Sequence, residues 1–275
     1  MKNITAFLFT LLWPILTFSQ STAQDSLAFI HQKWQTQKIA KGILWKSSAS
    51  TTFFNSNQII NILEIDLKKN QKKLGLIALP RSRELTSKLA KEATAVAAIN
   101  GGFFDMKNGG AVDFIKVENQ VVNYTLSKSA RANAYLAFDN KSTLITSDSS
   151  TIAVYPNIIL AGPMLLAQNQ SVHLSKNAFN DNRHPRTAIG IKDNKLILIT
   201  VDGRRSQSQG MNLHELTNIL KWYGCQDAMN LDGGGSTAMY IDNQPHNGIV
   251  NYPSDNNAFD HEGERKVSNI LFISK

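Results

Sequence analysis

The sequence predicts an α+β fold, a strand-rich mixed-sheet core packed with a few helices in a single domain. Three observations predict it. From Gln58 onward, short apolar or alternating segments recur with the period of two that suits strands. Only residues 84–92 and 213–223 read as clear helices. A chain of 275 residues, 42% hydrophobic, with no internal repeat and no low-complexity linker, suits one sizeable core.

The chain opens with Lys2 and an apolar run from Ile4 to Phe18 that contains Pro14. That run is shorter than the roughly 20 residues a bilayer-spanning helix needs. Small residues follow it, so residues 1–23 read as a signal peptide and the mature protein as secreted or periplasmic, with no membrane attachment after cleavage. Residues 25–38 then form an amphipathic opening helix with Leu27, Ile30 and Trp34 on one side.

The core elements follow in order. Residues 58–67 and 74–79 read as neighbouring strands, the second ended by Pro80. A short helix at 84–92 precedes a buried strand at 93–99. Residues 112–117 and 121–124 flank Glu118-Asn119-Gln120, a hairpin signal. Further strands fall at 134–138, 143–146 and 158–160, then at 186–191 and 195–201 around a turn at Asp193-Asn194. The helix at 213–223 carries its own punctuation. Asn212 and Glu215 have capping-box spacing, and Gly224 sits where a left-handed residue ends a helix. His214 and Glu215 are accordingly structural or surface residues. Strands at 228–231, 237–241 and 267–273 complete the list, and the polar stretch 247–264 is a long loop of the kind that often carries function.

Composition excludes several classes. The single cysteine, Cys225, can make no internal disulfide and no zinc site, and its apolar surroundings mark it as buried and inert. The net charge of +8 favours anionic ligands, but the lysines are scattered and no nucleic-acid motif accompanies them.

Four segments carry chemistry. In the first, a buried strand ends at Asn100 and meets Gly101-Gly102-Phe103-Phe104-Asp105, where glycines let a ligand approach the backbone. In the second, Arg186 opens an apolar strand, where its planar fork can bind a phosphate through two parallel N–H bonds; an ordinary ion pair is the alternative. In the third, residues 197–201 deliver Asp202-Gly203-Arg204 to a strand end. The fourth is Asn230-Leu231-Asp232-Gly233-Gly234-Gly235-Ser236. Its triple glycine can turn several N–H groups inward as an anion-binding nest. No Gly-Lys-Ser/Thr follows, so it is not a nucleotide P-loop.

Taken together and in order, NGGFFD, RTAIG, ITVDGR, ELTNILKWYG, NLDGGGS and RKVSN resemble the phosphodiester glycosidase domain family, from about Asn61 to the C-terminus. The resemblance implies a catalytic domain over 61–275, with 24–60 as an N-terminal extension. It implies hydrolysis of a sugar-1-phosphate diester, releasing a sugar such as N-acetylglucosamine from a phosphorylated glycan or surface polymer. It places Asn100, Gly101, Gly102, Arg186, Asp202, Asn230, Asp232, Gly233, Gly234, Gly235 and Ser236 around one pocket, joined by Arg265 and Asn269 from the last strand. Asp232 is expected as nucleophile or base, Asp202 as acid/base or hydroxyl ligand, and Arg186 with the loop N–H groups as the cationic stabiliser. No cofactor is required on this reading; ligation of Ca²⁺ or Mg²⁺ by Asp202, Asn230 and Asp232 is the alternative. Two rival functions stay open: a glycosidase or transglycosidase acting on a phosphate-free linkage, and a non-catalytic glycan-binding module of exopolysaccharide metabolism. Residues 24–60 and 247–264 match no family motif, so substrate choice is expected there.

Overall fold

The computed structural model describes residues 15–48, 51–126 and 129–275, with side chains from Ala23 onward. Most of the apolar run expected to direct export therefore lies outside the described residues. Among them, no helix is long and apolar enough to cross a membrane.

Three antiparallel sheets share one core. The largest has eight strands in the order Gln35–Ala40, Ile43–Ser47, Ile60–Asp66, Lys195–Val201, Arg186–Lys192, Asp227–Asn230, Met164–Ala167 and Gln170–Ser171. A five-stranded sheet runs from Gln120–Asn123 through Ile115–Val117, Asn157–Ala161 and Ala134–Phe138 to Thr143–Thr146. A four-stranded sheet orders Met239–Ile241, Ala95–Asn100, Asn269–Ser274 and Leu74–Ala78. The α+β class holds. The mixed sheet does not, because every strand pairing among the described residues is antiparallel. Two-residue connections such as Lys41-Gly42 and Asp193-Asn194 permit only a reversal of direction.

Alternation in the central strands sends side chains to two different layers. Leu196 and Leu198, with Leu63 and Ile65, face the core shared by the three sheets. Ile197, Ile199 and Val201, with Ile60 and Ile62, face the helix Leu213–Tyr223. That helix begins with the expected capping box between Asn212 and Glu215 and ends at Gly224 in the left-handed region, φ 92°. Glu215 also pairs with Arg183, and His214 lies 3.2 Å from Asp181, so neither residue joins a site. Cys225 is buried against the same layer, and burial pushes its thiol up to about 12, far from a reactive thiolate.

The N-terminal segment differs from expectation. The helix spans Ile15–Ile30, and the chain becomes strand at Gln35. Leu27 and Ile30 are exposed, whereas Phe29 is buried against Phe53, Trp34, Trp222 and Tyr223. One aromatic anchor outweighs the aliphatic stripe because its ring covers more apolar area. Residues 35–47 are built into the eight-stranded sheet, so the 24–60 stretch is part of the domain and not an appendage to it.

Candidate active site

Strands Lys195–Val201 and Asp227–Asn230 both pair with Arg186–Lys192, Arg186 facing Val201 and Ala188 facing Asn230. They therefore run the same way on either side of it. Asp202 and Leu231-Asp232 leave the sheet at one margin, beside the point where Arg186 enters. In the four-stranded sheet, Asn100 faces Ile270, so Gly101-Gly102 and Asn269 reach the margin together. Two hydrogen bonds join the sheets there. Asp232 N donates to Gly101 O at 3.0 Å, and Asn100 Nδ2 donates to Asp232 O at 2.7 Å.

Asp232 is the predicted carboxylate that the structure leaves accessible, in part, at this margin. Burial pushes it up to about 6, against the pull of the Ser236 hydroxyl, Arg265, the Gly233 N–H and Arg131. Arg265 is steered by Asp255, which accepts from its Nε and Nη2. Arg131 lies over the Phe103 ring, its guanidinium carbon 4.5 Å from the centroid. Arg204 completes the positive rim; it adopts φ 63°, unusual for a branched-out side chain, and its guanidinium stands beside Gly234. Burial and the neighbouring Arg265 both pull Arg204 below the usual arginine range.

Crowding by backbone and side chains accounts for the triple glycine, and Gly234 also takes φ 60°. A Cβ at Gly235 would collide with Arg265 Nη2 and Asp255 Oδ1, one at Gly234 would come within 3.0 Å of Arg204 Nη2, and one at Gly233 within 2.6 Å of Pro185 O. Part of the loop's backbone polarity is already committed, while the Gly233 N–H is directed at the Asp232 carboxylate. Gly234 N donates to Pro185 O at 2.8 Å, Ser236 N to Gly233 O at 3.1 Å and Thr237 N to Gly234 O at 3.3 Å. The Ser236 and Thr237 N–H groups close a short 3₁₀ turn, Gly234–Ser236, and the Gly234 N–H ties the loop to Pro185.

Arg186 is also placed differently. It is 1% exposed, with Nε donating to Met211 O and Nη2 to Phe179 O and Asn182 O. Three of its five N–H bonds thus brace the segments that surround the margin, and it presents no open fork. Burial lowers it to about 10, partly offset by the Glu215 carboxylate. Asp202 is equally enclosed, at 1% exposure. Its Oδ1 accepts from Asn251 Nδ2 and Tyr252 N, both at 3.0 Å, while its buried Oδ2 has no partner. Burial pushes it up to about 7 despite those two donors. Asp202 therefore pins the 247–264 loop to the sheet.

The three asparagines stand behind the margin. Asn100 Oδ1 accepts from Thr187 Oγ1 at 2.8 Å and from Ala238 N at 3.1 Å. Asn230 Nδ2 donates to Gly162 O and Leu231 O, and Asn269 Oδ1 accepts from Gly102 N. All three are buried, so they shape the margin instead of lining it. Gly101 and Gly102 are likewise buried; a Cβ on Gly101 would meet the Asn269 amide. Among the described residues, no three His, Cys, Asp or Glu side chains are grouped to hold a metal ion.

Sequence reasoning missed Arg131, Asp255 and Asp113, and named Arg204 only within the Asp202-Gly203-Arg204 segment, without a role. Asp113 is buried with Oδ2 unpaired and is pushed up by burial against the pull of Arg131. Arg204 lies two positions after Asp202, and that proximity is the signal for it. Nothing local marks the others.

A family model described as phosphodiester glycosidase matches residues 93–274. The human N-acetylglucosamine-1-phosphodiester alpha-N-acetylglucosaminidase is 28% identical over 196 residues, covering 64% of this chain and 36% of that protein. The mouse enzyme is 27% identical over 179 residues, covering 58% and 33%. The SPbeta prophage-derived uncharacterized protein YomE of Bacillus subtilis is 26% identical over 188 residues, covering 61% and 28%. This chain thus spans about a third of the length of the curated relatives it matches. Its fold is also that of the zebrafish enzyme's catalytic domain, at TM-score 0.66 and 22% identity over 88% of both chains. A hypothetical protein from Synechocystis gives TM-score 0.71 at 15% identity, covering 88% of this chain and 63% of that one. The matched segment contains Asn100, Arg186, Asp202, Asp232 with its glycine loop, and Arg265, and on that match the chain belongs to the phosphodiester glycosidase family.

Proposed function

We propose that this protein hydrolyses a sugar-1-phosphate diester, releasing the sugar, with N-acetylglucosamine the first candidate from the names of its relatives. The observation that carries this reading is the partly accessible Asp232 carboxylate, which feels Arg265 and Arg131, with Arg204 beside Gly234. The carboxylate attacks C1, or stabilises positive charge there, as the bond from C1 to the phosphate oxygen breaks. The bonding electrons leave with a phosphate monoester; water then attacks C1, breaking any C1–Asp232 bond and losing a proton to solvent, so that the free sugar departs and the carboxylate is restored. Its second pKa of about 6 makes it a good leaving group that needs little proton donation. Arg204 and Arg265 take the stabilising role expected of Arg186 and the loop N–H groups. Asp202 and Arg186 act as positioning residues. Because arginines supply the positive charge, the step is proposed to need no divalent cation.

The test is turnover of purified protein on a sugar-1-phosphodiester and on an aryl glycoside of the same sugar, each with and without chelator. The expected result is chelator-resistant hydrolysis of the phosphodiester at a rate well above that of the glycoside. Equal rates on both would transfer the reading to phosphate-free linkages, and no turnover on either would leave a glycan-binding module.

The pH profile follows from Asp232. The reactive carboxylate exists above its pKa, so turnover is expected to rise with pH through about 6. Arg265 favours the ionised form, so Arg265→Gln should move this acid limb to higher pH as well as slow turnover. A limb that stays in place in that variant would show that Asp232 does not control it.

Export is proposed as well. Asp25, whose carboxylate accepts from Phe54 N at 3.0 Å, and the buried Phe29 both follow the expected cleavage region, so processing would leave them in place. Mass spectrometry of exported protein should find a start near Gln20 or Gln24; intact Met1 in membrane fractions would overturn this.

A further inference from the structure

A second pocket, of about 340 Å³, opens between the first strands of the large sheet and the 244–261 segment. That volume falls within the roughly 300–1,000 Å³ range of small-molecule sites. Its walls differ in kind from the arginine-rimmed margin. None of its 13 lining residues among the described ones is Asp, Glu, Lys or Arg. Four of the 13 carry aromatic rings, and those on the 244–261 side belong to one stack. Tyr252 stacks on Phe259 with centroids 4.1 Å apart, His261 packs on Tyr252 at 4.2 Å, and His246 stacks on His261 at 4.5 Å. Across the cavity stands Trp45, whose Nε1 donates to Asn61 Oδ1 at 3.1 Å.

The polar groups are amides, hydroxyls and imidazole. Asn61 is 1% exposed, and its Nδ2 has no partner, although an unpaired buried donor costs about 1–3 kcal/mol. Gln35 and Gln244 add side chains that donate and accept at once. His261 Nδ1 lies 2.6 Å from Asn251 O, which can only accept, so Nδ1 carries the proton. Burial disfavours a charged ring, which leaves Nε2 as an acceptor. Two carboxylates stand nearby but outside the lining: Glu262, 3.8 Å from His246, and Asp260, which together with Glu262 acts on His261.

We infer that this pocket binds a neutral saccharide unit, with its apolar face against Trp45 and its hydroxyls on the amides and His261. A sugar hydroxyl both donates and accepts, as the glutamine amides do, and its C–H faces suit aromatic walls. An anion would find no cation in the lining. Six of the lining residues, from Gln35 to Asn61, precede the family-matched segment 93–274, so the pocket is partly this chain's own. It also touches the catalytic margin through adjacent residues. Asn251 and Tyr252, which hold Asp202, are the partners of His261 by hydrogen bond and by ring contact. The inference does not depend on the reaction at Asp232.

The experiment is an NMR titration of the full-length Asp232→Asn protein, so that binding is read without turnover. The Trp45 indole N–H signal is identified by its loss in Trp45→Phe. Glucose, N-acetylglucosamine, N,N′-diacetylchitobiose and glucose-1-phosphate are the probes. At least one neutral sugar is expected to shift that signal saturably, and glucose-1-phosphate to bind at least tenfold more weakly than glucose if glucose is the ligand. Gln244→Ala and His246→Ala, both at the rim, should weaken the neutral sugar by threefold or more while leaving the melting temperature unchanged. No saturable shift with any neutral sugar up to 10 mM on the order of the weakest affinities of interest, or unchanged affinity in both rim variants, would overturn the inference.

Discussion

Asp232→Asn is expected to fold normally, bind substrate and lose turnover on the order of 10³-fold or more, as removal of a nucleophilic carboxylate does. The substitution keeps the side chain's shape. The bonds that place the residue, from Asp232 N to Gly101 O and from Asn100 Nδ2 to Asp232 O, use only its backbone and survive the change. What disappears is the negative charge set against a developing cation at the sugar carbon. Removing a carboxylate that burial has pushed up to about 6 also removes a desolvation penalty, so the melting temperature should hold or rise slightly at neutral pH. Melting temperature, substrate affinity and turnover, measured together, distinguish the alternatives. A loss of stability that a chelator reproduces in the parent would indicate a structural metal at Asp232. A stable variant with near-parental turnover would remove Asp232 from the reaction.

Arg186→Lys is expected to destabilise the protein by about 3–5 kcal/mol, because it leaves buried carbonyls without their donors. Lysine keeps the charge, but one ammonium cannot span Met211 O, Phe179 O and Asn182 O in the geometry of the planar fork. Arg186→Met should cost at least as much. Both variants should lose activity in proportion to the folded protein that remains, and equally on a phosphodiester and on a phosphate-free glycoside. Chemical denaturation with parallel assays checks this. A fully stable Arg186→Lys that is selectively impaired on the phosphodiester would return Arg186 to the phosphate.

Arg186, Asp202 and the triple glycine show where sequence reading stops. Each lies in a motif that the fold brings to the same sheet margin, yet Arg186 and Asp202 are enclosed there instead of presenting an open fork or a free carboxylate. A run of glycines states that Cβ atoms do not fit, without stating what occupies the space. Here the neighbours are Arg204, Arg265, Asp255 and Pro185, which lie 20 to 50 positions away in the chain and are invisible to any local pattern. An arginine opening an apolar strand is equally consistent with an exposed fork and a buried brace, and only the carbonyls around it decide. Asp202 looks like a free carboxylate at a strand end until the 247–264 loop supplies Asn251 and Tyr252.

The sequence by itself determined the α+β class, the positions of most central strands, both ends of the helix Leu213–Tyr223 and the inert state of Cys225. These follow from interactions within a few residues: alternation along a strand, a cap closing on its own first turn, a thiol in an apolar stretch. Tertiary structure alone decided that the sheets are antiparallel, that Phe29 and not Leu27 or Ile30 anchors the first helix, and that residues 35–47 belong to the main sheet. It also decided which motif residues face solvent. Strand direction, register and side-chain exposure depend on partners far apart in the chain, such as Val201 opposite Ile60 and Asn100 opposite Ile270, and are set only when the whole core closes.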